Sequence, residues 1–169
     1  MRGDDMSDGN NGKVCCFTGH RKIDADDMLQ LPAIMDRVLD KFIDIGVNVF
    51  RAGGAIGFDM IAALKVLEKR RSGKDIKLEL YLPCRSQADR WDRVNRETYD
   101  YILAMADKVI YVNENYTRGC MLERNRRMVE GCNLCIAFCQ SDKGGSAYTI
   151  DYAKKQGLYI MNVAHLIKK

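Results

Sequence analysis

The sequence predicts an α/β protein in three layers, a mostly parallel sheet with helices on both faces. Short apolar runs of four to six residues alternate with longer stretches whose apolar residues recur at helical spacing, the signature of successive βα units. Glycines and small polar residues gather just after the apolar runs. In a parallel sheet of this kind those positions lie along one edge, where ligands bind. The 169 residues, 47% hydrophobic and 30% charged, bury roughly 70% of the unfolded surface on folding, so the core needs neither disulfide nor metal.

Residues 14–17 read as the first strand, stopped by Thr18-Gly19-His20. Residues 26–45 carry Leu29, Ile34, Val38, Phe42 and Ile45 as a helical stripe that ends at Gly46, since glycine commonly terminates helices. Residues 47–50 form a second strand before Gly53-Gly54, and Ile56, Met60, Ile61, Leu64 and Leu67 mark the next helix. Residues 78–82 are a third strand stopped at Pro83, and 86–105 a helix broken near Asp92. A fourth strand at 109–112, an Arg- and Met-rich helix at 117–130 and a fifth strand at 134–138 follow. Gly144-Gly145 opens a last helix that Gly157 closes, and 158–163 complete six strands. The order βαβα throughout makes the arrangement Rossmann-like.

Residues 1–12 are polar and Gly-rich and read as a disordered leader, with Met6 an alternative start, while 13–169 read as one domain. The leader lacks the apolar stretch of a secretory signal, and no apolar run approaches a membrane span. Seven cysteines without such a signal fit reduced, buried thiols in the cytoplasm. The net charge of +4 is too mild to demand a nucleic-acid partner. Cys132-x2-Cys135-x3-Cys139 has neither a second Cys pair nor a nearby His, so no metal site is assigned.

Two glycine-rich strand-to-helix junctions carry the functional signal. In residues 51–59 (RAGGAIGFD), Gly53, Gly54, Ala55 and Gly57 precede a helix with Asp59 in its first turn. Lys143-Gly144-Gly145-Ser146 repeats the arrangement. Glycines let backbone approach an anion, and a helix start offers it free N–H groups. Neither junction is a Walker loop or a complete GxGxxG fingerprint. Thr18, Gly19, His20 and Arg21 follow the first strand on the same edge; Pro83, Gln87 and Arg90 follow the third, where the sequence's one Trp, Trp91, reads as core more readily than as a base platform. Arg124, Arg127 and Met128 share a helix face, so one Arg is expected to reach the ligand edge together with Asn125. No nucleophile–base constellation assembles around the two histidines, and no cofactor is assigned.

The ordered set Phe17-Thr18-Gly19-His20-Arg21, Gly53 to Asp59, Leu82-Pro83-Cys84 with Gln87 and Trp91, Arg124-Asn125 with Met128-Val129, and Gly144-Gly145-Ser146 with Tyr152-Ala153 resembles the YpsA-like family of the SLOG superfamily. The relatives of that family include DprA and the LOG phosphoribohydrolases. The resemblance spans about residues 13–163. It implies a site for a nucleotide or nucleotide derivative, with Gly53, Gly54, Gly57 and Asp59 on one side and Gly144, Gly145 and Ser146 on the other.

LOG enzymes cleave an N-glycosidic bond with an Arg and the Glu of PGGxGTxxE. Here Ala147, Tyr148 and Asp151 replace the third Gly, the Thr and the Glu. Three functions follow, in order. The first is binding of a nucleotide-derived phosphate ligand. The second is phosphoribohydrolase activity through Asp151 and Arg124. The third, by analogy with DprA, is single-stranded nucleic-acid binding. A homodimer is expected from related folds alone.

Overall fold

A computed structural model of the chain describes residues 12–169. The leader expected at 1–12, with Met6, lies outside the described residues apart from Gly12. Six strands, β1 (Lys13–Gly19), β2 (Val47–Ala52), β3 (Lys77–Leu82), β4 (Lys108–Tyr111), β5 (Leu134–Phe138) and β6 (Tyr159–Asn162), form one sheet in the order β4-β3-β2-β1-β5-β6. Every pairing is parallel. Five α-helices connect them: α1 (Ala25–Asp44), α2 (Phe58–Arg71), α3 (Arg93–Met105), α4 (Cys120–Val129) and α5 (Gly145–Lys155).

Right-handed crossovers decide which face each helix covers. From β1 to β4 the chain steps in one direction, and α1, α2 and α3 pack side by side on one face. It then returns past three strands to place β5 beside β1, which sends α4 and α5 to the other face. Central strands covered on both faces must be apolar on both. All five residues of β5 are buried, and so are Cys15, Cys16, Phe17 and Thr18 of β1.

Alternation splits the core. Phe17, Ile136 and Phe138 face α1–α3, whereas Cys16, Cys135 and Ala137 face α4 and α5. On the first face a chain of rings runs Phe50–Phe17–Phe58–Phe138, with centroids 5.7, 6.3 and 5.9 Å apart. Each such contact adds about 0.5–1.5 kcal/mol beyond its buried area. The small side chains of Cys16, Cys135, Ala137 and Ala153 line the second.

Three sequence expectations shift. The buried stripe of α1 is Leu31, Ile34, Met35, Val38, Leu39 and Phe42, while Leu29 is 82% exposed and Ile45 is 51% exposed. The true stripe keeps the i, i+3, i+4, i+7 phase, and Leu29 falls outside it. Helix α3 begins only at Arg93, because the Asp92 carboxylate accepts the Asn95 N–H at 3.0 Å and caps it. Likewise α4 begins at Cys120 after Gly119, whose φ of 82° no other residue adopts comfortably. Beyond β6 the chain forms a 3-10 turn, Val163–Leu166, which the sequence pattern did not suggest.

Candidate functional site

The strand order reverses between β1 and β5, so the chain leaves these adjacent carboxyl ends in opposite directions and a crevice opens between them. Gly19 pairs in register with Phe138 at its floor. His20 then ties the two exits together. Its N–H donates to the Phe138 carbonyl at 3.1 Å, and its Nε2 accepts the Gln140 N–H at 2.7 Å. Its ring stands edge-on to Phe138 at 6.0 Å. With Nε2 accepting, the imidazole proton sits on Nδ1, so His20 both ties the crevice walls together and keeps one ring donor on its lining.

The crevice encloses about 270 Å³, lined by Phe17 through Arg21, by Ala55 and Asp59 from the β2–α2 junction, by Met121, Leu122, Arg124, Asn125 and Met128 from α4, and by residues 143–146. Of the expected ligand residues it gathers Thr18, Gly19, His20, Arg21, Ala55, Asp59, Arg124, Asn125, Gly144, Gly145 and Ser146. Gln87 and Arg90 line a neighbouring cleft instead. Pro83 is buried, its carbonyl accepting the Asn113 N–H, and it lines neither. Asp151 opens onto another hollow with Cys139, Lys154 and His165, so the pairing of Asp151 with Arg124 in one site does not occur in this arrangement.

The β2–α2 junction is closed from within. Asp59 is 6% exposed, and its carboxylate lies against the backbone N–H groups of Ala55 and Gly53, which favour its charged form. Arg124, 4% exposed, donates Nη1 to the Gly53 carbonyl and Nε to Asn125 Oδ1 at 2.7 Å. A Cβ at Gly53 would fall 2.8 Å from both Asp59 Oδ2 and Arg124 Nη1. A side chain at Gly53 would therefore have to displace one of these two buried groups, and the amides that might cradle a phosphate already face a carboxylate. Burial pushes the Asp59 carboxyl up, against the opposing pull of the Arg124 charge and the two N–H groups. Burial likewise lowers the Arg124 guanidinium, opposed by the Asp59 charge.

The remaining glycines of this junction serve the same closure. A Cβ at Gly57, where φ is 90°, would strike the backbone of Arg21 and of His20, the latter carbonyl oxygen at 2.6 Å. The Phe58 N–H donates to that same carbonyl at 3.1 Å. Gly54 faces Leu82 at 2.7 Å, away from the crevice, and Gly19 faces the Phe58 ring at 2.5 Å. Gly53, Gly54 and Gly57 are therefore packed against protein, while Gly19 is packed on one side and lines the crevice on the other.

The β5–α5 junction is open. Gly144 has φ 96° and ψ −176°, a conformation reserved for glycine, and no side chain caps the helix that follows. Gly144 and Gly145 meet nothing within 4 Å of a hypothetical Cβ. The first N–H groups of a helix have no partner inside it, so Gly145 and Ser146, which line the crevice, present unfilled donors at its rim. The side chains of Arg21 and Lys143 are exposed on the same lining.

Lys143 and Met121 were missed as site residues by sequence reasoning. Lys143 adjoins the glycine pair, and Met121 lies three residues before Arg124 on the same helix face, so each had a detectable signal. Arg124 is the Arg of its helix that reaches the ligand edge. Arg126 donates to the Tyr148 hydroxyl at 3.0 Å, and Arg127 is exposed. The thiols of the CxxC segment point to separate carbonyls, Cys132 to Met128 and Cys139 to Ser141. No helix among the described residues is long and apolar enough to cross a membrane.

Comparison with known proteins agrees with this architecture. The sequence profile of the YspA SLOG family matches residues 15–168. A UPF0398 protein of Bacillus cereus (strain ATCC 14579) is 28% identical over 155 residues, covering 86% of this chain and 84% of its own. One from Bacillus thuringiensis (strain Al Hakam) gives the same identity and coverage. Among solved structures, DNA processing protein A from Helicobacter pylori, reported for its single-stranded DNA binding mode, superposes with a TM-score of 0.62 at 19% identity over 88% of this chain. DprA from Streptococcus pneumoniae gives 0.60 at 17% identity over 89%. This chain spans 63% and 50% of those two proteins' lengths. At such identities the likeness establishes a shared fold. The family match, which takes in nearly every described residue, establishes more: this chain belongs to the YspA SLOG family.

Proposed function

We propose that the crevice between β1 and β5 binds a nucleotide-derived small molecule through its phosphate, with the phosphate seated at the open start of α5. The carrying observation is the contrast in occupancy. The amides of the β2–α2 junction are faced by the buried Asp59 carboxylate, whereas the uncapped α5 terminus faces the crevice beside Arg21 and Lys143. A helix start favours an anion by about 0.3–1 kcal/mol, and more where partly buried. Charge-assisted bonds from Arg and Lys add to that. The buried charges beside Gly53, Asp59 of α2 and Arg124 of α4, are opposite in sign and offset one another, so the exposed cations set the sign of the rim.

Hydrolysis of an N-glycosidic bond through Asp151 gains no support here, because that carboxylate opens onto a different hollow. Single-stranded DNA binding, as reported for the Helicobacter pylori protein, would call on the arginines of α4. Arg124 is committed to Gly53, and Arg126 and Arg127 lie off the crevice.

A thermal-unfolding panel of nucleoside mono- and diphosphates, ADP-ribose and a short single-stranded oligonucleotide tests the proposal. A ligand at 100 times its dissociation constant adds about 2.7 kcal/mol of stability, roughly 5–10 °C for a domain of this size. Lys143→Ala should remove much of that shift without lowering the unliganded midpoint. A flat response to every small ligand, with stabilisation by the oligonucleotide alone, would contradict the proposal.

A further inference from the structure

We infer that the cleft adjoining the crevice seats the base of the ligand, so that the preferred ligand is a nucleotide with its base intact and not a bare sugar phosphate. This rests on the phosphate site proposed above. The second cleft encloses about 520 Å³, and its lining includes Gln87, Trp91, Tyr116 and Met121. Met121 lines the crevice as well, and Arg21 Nη2 lies 4.0 Å from its Sδ. The two hollows therefore share a wall made by one flexible side chain.

Size points the same way. The 270 Å³ of the crevice falls below the roughly 300–1,000 Å³ typical of small-molecule sites, whereas the 520 Å³ beside it falls within that range. A phosphate and sugar fill the first, and of these two adjoining hollows the second has the room for a planar ring system.

The walls of the second cleft suit a base. Trp91 is half-buried and held edge-on against Tyr99, with centroids 5.3 Å apart and planes at 81°, so its ring is positioned before any ligand arrives. Tyr116 is 66% exposed on the same lining, an aromatic face without a stacking partner among the ring contacts of the described residues. Base–aromatic stacking tolerates any base. Gln87 supplies a polar handle. Its Oε1 is buried without a hydrogen-bond partner among the described residues, while its Nε2 reaches the Gly53 carbonyl only at 3.5 Å. An unpaired buried acceptor is costly, and a donor on the base edge relieves it once the amide turns into the cleft it lines.

The sequence contains one tryptophan, so its fluorescence reports on this cleft alone. The probes are adenosine 5′-monophosphate and ribose 5-phosphate, titrated into the full chain with both thermal unfolding and Trp91 emission recorded. Both should raise the unfolding midpoint, and only the nucleotide should change the emission. Tyr116→Ala, at an exposed position, should weaken the nucleotide about tenfold and leave ribose 5-phosphate unaffected. Gln87→Leu should weaken the nucleotide while leaving the fold intact. Equal affinity for the two probes, an unchanged emission and no effect of Tyr116→Ala would overturn the inference while leaving the phosphate site standing. If neither probe raises the midpoint, the phosphate site itself fails, and the inference falls with it.

Discussion

The two glycine-rich junctions look alike in sequence, yet one is a packed corner and the other an open one. At the β2–α2 junction every glycine is opposed by protein: Gly53 by Asp59 and Arg124, Gly54 by Leu82, Gly57 by the His20–Arg21 backbone. At the β5–α5 junction Gly144 and Gly145 face empty space. A glycine between a parallel strand and a helix thus has two different causes, close approach of the chain to itself or room for something else. What separates them here is a residue beyond the glycines. The buried carboxylate of Asp59 faces the amides of its own loop, while the corresponding first turn of α5 contains no acid.

Substitutions that treat the two junctions alike should therefore give unlike results. The largest effect is expected from Gly57→Ala, which combines a positive φ with a collision against backbone. It should cost about 3 kcal/mol or more, read from chemical denaturation. A loss below about 1 kcal/mol would mean that the His20–Arg21 loop moves away readily.

Arg124→Met should follow closely. It removes the largest opposing charge near the buried Asp59 carboxylate and the donor to the Gly53 carbonyl, a change expected to cost about 1–3 kcal/mol. The loss should also depend on pH. Burial already holds the Asp59 carboxyl above its ordinary value in the folded chain, so the folded state binds that proton more tightly than the unfolded state does. Removing Arg124 raises it further. The stability of the variant should then fall as pH rises from the unfolded value of about 3.9 through the raised folded one. The gap to the parent protein should accordingly be narrower at pH 4 than at pH 7. A gap that widens toward acid would show that Arg124 does not act on Asp59.

The smallest effect on stability belongs to Gly145→Ala. This residue has open space around it and no positive φ, so the change should lie within about 0.5 kcal/mol. A larger loss would show that the open junction has a packing role.

The alternation of apolar runs and helical stripes was enough to read the sheet, its parallel sense and the placing of the junctions on one edge. What the pattern hid was the phase of α1, because Leu29 and Ile45 are apolar residues on solvent-facing positions. The candidate site was legible in part. Thr18 to Arg21, Arg124, Asn125 and residues 144–146 converge as their positions after β1, in α4 and after β5 suggested. The closure of the other junction was not legible, since it depends on Arg124 reaching the Gly53 carbonyl, a contact between residues 71 positions apart that no local signal announces. Asp151 failed to reach the crevice for a simpler reason. It lies six residues beyond the first residue of α5, and it shares its hollow with Ala147, Ile150 and Lys154 on another side of the helix.

The central claim is that the anion sits at the open junction and not at the closed one. The most direct measurement is amide chemical-shift mapping of the labelled protein during titration with adenosine 5′-monophosphate. The account predicts the largest shifts at the N–H groups of Gly145 and Ser146, with those of Gly53 and Ala55 unmoved. Leading shifts at Gly53 and Ala55, with the start of α5 silent, would contradict it.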